Sequence, residues 1–264
     1  MSRENVRIER DAAGVGTLTL DRPEKLNAFA GRMRGEIAEG LEELERDASV
    51  RVIVITGAGR GFCAGGDVAY MAELVEAGDT TAMAALVDAG RRIVMTIRRS
   101  DKPIIASVNG IAAGGGANLA LACDMRIASD RARLAQSFNR IGLHPDWGGT
   151  YFLPRLVGPS KALELFWSAE PIDAAECERL GLFNRVVPHD QLASATTELA
   201  RELAAKPALP LTLVKRAVYE SLDRSLADML DYELDAQLKC FASGDATNGI
   251  RAFMAKRAAT APPA

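Results

Sequence analysis

"IIASVNGIAAGGGANLALACD", residues 104–124, decides how the chain is built. It passes from a continuously apolar run, through Asn-Gly and three consecutive glycines, into a segment of small apolar residues. An unbroken run of this kind fits a strand covered on both faces, as in a parallel sheet. "ANLALACD" (117–124) fits a short buried helix, which makes the glycines a strand-to-helix loop. Backbone N–H groups at such a helix start favour negative charge, and glycine permits close approach to them. Taken alone, the loop is equally well a tight turn or a packing device.

The arrangement also occurs upstream. "RVIVITG" (51–57) is a second buried strand that runs into "GAGRGFCAGG" (57–66), after which Asp67 is placed to cap a helix. This loop carries neither a GxGxxG fingerprint nor a P-loop signature, so nucleotide phosphates are not indicated. Two loops that each offer one donor to the same oxygen would make an oxyanion hole, which stabilises an enolate or tetrahedral intermediate.

Outward from these strands, "VGTLTL" (15–20) is a further strand. A helix carrying Met33, Ile37, Leu41 and Leu44 on one face follows it, and another spans about 80–99. "MRIAS" (125–129) and "ARLAQS" (132–137) continue the strand series. Beyond about 150 strand signals nearly vanish, and 171–182, 191–206, 211–222 and 226–242 all fit helices. The chain is therefore expected to be α/β, with a helical C-terminal region and a disordered tail at "AATAPPA" (258–264).

With 264 residues, 48% apolar and 25% charged, the chain has material for a sizeable core as one large domain or two coupled ones. A net charge of −3 gives no general reason to bind nucleic acid or an anionic membrane. The start lacks the apolar core of a signal peptide, and no stretch approaches a transmembrane span. Cys63, Cys123, Cys177 and Cys240 are widely spaced, which suits reduced cytoplasmic thiols. With only His144 and His189 present, a His-rich metal site is not expected.

"IGLHPDWGGTYFLPR" (141–155) holds one carboxylate, Asp146, in an almost uncharged run. Asp before Trp-Gly-Gly-Thr suits an N-cap or Asx-turn, whereas an acid in an apolar pocket suits a catalytic base. The residues alone leave both open.

Together "LDRPEKLNAF" (20–29), "GRGFCAGGDV" (59–68), "NGIAAGGGANLALACDMRIAS" (109–129), "IGLHPDWGGTYFLPRLVG" (141–158), "ERLGLFNRVVP" (178–188) and "FMAKR" (253–257) resemble the enoyl-CoA hydratase/isomerase (crotonase) superfamily. The motifs stand in family order over nearly the whole chain. The resemblance implies a crotonase-like repeated ββα core with the acyl-CoA site over 1–195. Residues 196–264 would be a helical C-terminal trimerisation region, giving a homotrimer or dimer of trimers. The substrate would be an acyl-CoA; coenzyme A enters as part of that thioester, and no separate cofactor or metal is implied.

Carried over by residue, the resemblance makes Gly66 and Gly115 the oxyanion donors through their backbone N–H groups. It lays Ala64, Asp67 and Val68 along the coenzyme A path. Lys25 and Lys256 would lie near the nucleotide end; either is otherwise a solvated surface charge. A hydratase of this superfamily uses two glutamates, and their positions here hold Asn118 and Phe138, neither of which exchanges a proton near neutral pH. Asp146 coincides with the aspartate that isomerase members use as acid/base. Asn118 would bind substrate or water, or else be a satisfied polar residue. Phe138, Trp147 and Phe152 would supply an apolar wall, and His144 would tune Asp146 or sit in an exposed loop. Cys63 fits a small buried residue better than a nucleophile.

The expected activity is a double-bond shift through a thioester enolate. An Asp146-only hydratase and an inactive acyl-CoA or RNA-binding scaffold are the alternatives. An aryl-CoA dehalogenase, which needs a histidine from the N-terminal half, is disfavoured because none precedes His144.

Overall fold

The computed structural model describes residues 3–260. β1 (Val6–Arg10) and β2 (Val15–Leu20) pair antiparallel, and α1 (Met33–Arg46) follows. Three strand–strand–helix repeats succeed them. The first is β3 (Val52–Gly57) and β4 (Gly61–Cys63) with α2 (Val68–Ala77) and α3 (Thr80–Arg99). The second is β5 (Ile104–Val108), β6 (Ile111–Ala113) and α4 (Gly115–Ala122). The third is β7 (Met125–Ser129) and β8 (Arg133–Ala135), with α5 (Gly149–Val157) and α6 (Pro159–Ser168) after an intervening loop. Then come β9 (Ile172–Asp173), α7 (Ala174–Arg179), β10 (Arg185–Val187) and α8 (Leu192–Ala204).

Within each repeat the two strands go to different sheets. One sheet has the order β1-β2-β3-β5-β7-β10, the other β4-β6-β8-β9. Only the edge pairs β1/β2 and β8/β9 are antiparallel. The larger sheet is covered on both sides, which explains its unbroken apolar strands. Ile53 and Ile55 of β3 join the main core with Met33, Ile37, Leu41 and Leu44 of α1. Val52 and Val54, on the opposite face, pack with Leu192 and Ala195 of α8.

The chain divides between Ala204 and Ala205 rather than after residue 195. Helix α8 runs through the expected boundary because it closes the second face of the large sheet. Thr196 and Ser107 of β5 share a hydrogen bond of 3.0 Å there. The second unit holds α9 (Ala208–Glu220), α10 (Leu226–Ala242) and α11 (Gly244–Thr260). Tyr232 Oη of α10 donates to the Leu213 carbonyl of α9 at 3.0 Å. Leu226, Leu230, Leu234 and Leu238, four residues apart along α10, are all exposed.

The segment 171–182 is not one helix: it opens as β9, and Asp173 starts α7 by accepting from Glu176 N at 2.9 Å. Of the expected tail, residues up to 260 finish α11, whereas 261–264 lie outside the described residues, as does the side chain of Lys256. Among the described residues no helix is long and apolar enough to cross a membrane.

Candidate active site

The two glycine loops meet backbone to backbone. Asn27 fixes the first by donating from Nδ2 to the carbonyls of Ala58, Gly61 and Phe62 at 2.8–3.2 Å. Phe29 N then donates to Gly65 O at 2.7 Å and Asp67 N to Phe29 O at 3.0 Å. In this parallel bridge the Gly66 N–H points away from Phe29, and it has no acceptor among the described residues. The Gly115 N–H opens α4 and is also unengaged, as expected for a first-turn amide. A Cβ on Gly65, where φ is +90°, would stand 2.7 Å from Ala113 O and 3.4 Å from Gly115 N. Gly66 and Gly115 line one cavity of about 180 Å³, with Ala64, Val68, Phe138, Asp146 and Trp147.

Asp146 enters this cavity from the loop before α5. Its backbone carbonyl accepts from Asn118 Nδ2 at 2.8 Å and from Gly149 N at 3.0 Å. Its carboxylate does not cap α5: Gly148 is the N-cap residue and no side chain serves there. Oδ1 is buried without a hydrogen-bond partner. Burial pushes the carboxyl up to about 6, against the opposing pull of Arg34, of its own backbone amide and, least, of His144. The N-cap reading of Asp146 is therefore wrong.

The wall is aromatic: Phe138 and Trp147 belong to it as expected, Phe29 joins them, and Phe152 does not. Trp147 stacks on Phe29 with centroids 4.6 Å apart and planes 4° apart. Phe138 lines the cavity, whereas Phe152 is buried but lies outside the lining. Asn118 does not face the cavity: fully buried, it also accepts from Gln136 Nε2 at 2.9 Å and so positions Asp146 rather than a ligand. Asp67 caps α2 through Ala69 N at 3.0 Å and pairs with Arg22 Nη1 at 2.7 Å, which holds its carboxyl below the usual range. Neither it nor Lys25, exposed on a short 3-10 turn, belongs to the lining. His144 is exposed, with Nδ1 2.7 Å from the Pro145 carbonyl. Burial pushes the Cys63 thiol up to about 12, which removes it as a nucleophile. Arg34 and Met71 line the cavity and carry no motif that marks them in the sequence.

The profile of the enoyl-CoA hydratase/isomerase family matches residues 10–260. The chain belongs to this family. It is 39% identical to the 1,2-epoxyphenylacetyl-CoA isomerase of Escherichia coli over 92% of this chain and 93% of that one. It is 36% identical to the crotonyl-CoA hydratase of Syntrophomonas wolfei over 98% of both. The crystal structure of an enoyl-CoA hydratase from Bacillus anthracis superposes with a TM-score of 0.90 at 31% identity, covering 96% of this chain and 97% of that one. Relatives with both kinds of activity thus share the frame. For a family that acts on acyl-CoA thioesters, the cavity offers two uncommitted main-chain donors, one carboxyl that burial pushes up to about 6 and a largely apolar lining.

Proposed function

We propose that this family member is an enoyl-CoA isomerase that moves a Δ3 double bond to Δ2 with Asp146 as its only proton carrier. The observation that carries the reading is the Asp146 carboxylate, uncapped and buried, in one cavity with two unengaged glycine amides. As carboxylate it takes a proton from C2 of the thioester. The electron pair moves into the carbonyl, and the Gly66 and Gly115 amides hold the enolate oxygen. The protonated acid then gives the same proton to C4, the pair returns as a C2–C3 double bond, and no water is consumed. With Asn118 and Phe138 at the two hydratase positions, no second acid is there to activate water.

The test uses trans-3-hexenoyl-CoA and crotonyl-CoA in deuterated water. Expected is 2-enoyl product from the first, with turnover falling about a hundredfold to ten-thousandfold in Asp146→Asn. Hydration of crotonyl-CoA, with the 3-enoyl thioester left intact, would establish the second reading, which the similarity to a crotonyl-CoA hydratase favours. The similar isomerase is named for an aryl thioester, so an aromatic acyl group belongs among the substrates tried.

The leucine stripe on α10 supports self-association as a homotrimer or dimer of trimers, since a chain rarely leaves such a row to water. Four cysteines free of disulfides fit a reducing cytoplasm.

A further inference from the structure

We propose that Arg34 is a substrate-binding residue, and that the site favours an acyl group with a neutral oxygen beside the thioester over a plain hydrocarbon one. The proposal rests on the acyl-CoA reading above and extends it to the chemistry of the acyl part.

Arg34 lies on α1, one residue after Met33 and three before Ile37, inside the face that packs on the core. It is 6% exposed and lines the cavity. The guanidinium stands over the Phe29 ring, 5.3 Å from its centroid. That contact satisfies none of the guanidinium N–H groups, which still need acceptors. Nε and Nη1 are buried and have none. Nη2 stands 3.7 Å from the place a Cβ on Gly66 would occupy, next to one of the two oxyanion amides. Asp146 and Arg34 influence each other's charge but form no ion pair within 4.0 Å.

The same helix shows how this fold treats a buried charge that only supports structure. Glu36, two residues on and also buried, accepts from Asn5 N at 3.0 Å and Glu4 N at 3.3 Å. Arg34 receives no such answer from the protein. An unpaired guanidinium in an apolar pocket is costly unless a ligand completes it. Its position assigns the missing acceptor to the acyl group near the thioester. A carboxylate there would meet Asp146, whose like charge opposes it, so a neutral oxygen is the matching group. A site built to hydrogen-bond an oxygen also holds the analogue that lacks it more weakly, because the donors are then buried unpaired, so a plain 3-enoyl thioester is turned over but bound less tightly.

Calorimetric binding of 2-hydroxyphenylacetyl-CoA, phenylacetyl-CoA and free coenzyme A tests this without turnover. Wild type should bind the hydroxylated thioester about tenfold or more tightly than its parent, since a hydrogen bond to a charged donor exceeds the tenfold step. Arg34→Leu should lose that preference and bind phenylacetyl-CoA more tightly than wild type does, a crossing that a merely structural role would not produce. Arg34→Lys, which keeps the charge on a narrower donor, should recover part of the preference. Removing an unpaired buried charge should raise the melting temperature of the ligand-free Leu variant, which checks that it folds. Equal wild-type affinity for the two thioesters overturns the proposal. So does an equal loss for both in Arg34→Leu, which would mean that Arg34 serves the thioester oxygen. If neither thioester binds better than free coenzyme A, the acyl-CoA reading itself fails, and this proposal with it.

Discussion

The Asp146 carboxyl keeps its proton up to about pH 6 in the folded chain, because burial outweighs the attraction of Arg34. In an unfolded chain an aspartate releases its proton near pH 3.9. Folding therefore takes up a proton between these values, and stability falls as pH rises through that window. Asp146→Asn removes the penalty. Its urea unfolding at pH 8 should show a gain on the order of 1–3 kcal/mol that shrinks to nothing below about pH 4. Activity responds in the opposite sense, since the base form is needed: kcat/KM should fall about tenfold per unit as pH drops below about 6. An acid-limb midpoint near 4 would instead mean that the carboxylate is solvated. At this scale the sequence showed Asp146 through its uncharged setting, yet it hid Arg34. The apolar stripe of α1 draws attention to Met33, Ile37, Leu41 and Leu44, and the signal for Arg34 is a charge three residues from Ile37 on that buried face.

Among elements, the two glycine loops carry the most specific consequence. Gly65 combines φ +90° with a Cβ position 2.7 Å from the Ala113 carbonyl. Gly65→Ala should therefore cost on the order of 1–3 kcal/mol in stability. It should also spread the loops and lower kcat more than a stability loss of that size explains; a variant with normal kcat would show that the loops do not need this contact. The strand–glycine–helix pattern made β3, β5 and α4 legible, because a sheet buried on both faces demands unbroken apolar runs. β4 and β6, of three residues each, leave no trace in the sequence, since no periodicity develops over that length. Helices α5 and α6 are hidden because Gly and Pro at their starts resemble loop chemistry.

For the whole molecule, the exposed α10 leucines make association testable without touching the cavity. Leu230→Glu with Leu234→Glu should move the mass seen by light scattering from an oligomer toward a single chain, with helical content retained. An unchanged mass would take α10 out of the interface. Where the first unit ends was not legible, because α8 follows its sheet neighbours in sequence only after long intervening segments, and only packing shows which unit claims it. The donors that receive the enolate oxygen in the proposed reaction belong to the main chain, so no exchange of side chain short of proline deletes either one. Mutation can move, add or remove acids around this fixed anvil, at 118, 138 or 146, and can reline the acyl cleft from α1. Such a frame lets a lineage change its reaction while the hardest part of the chemistry stays in place.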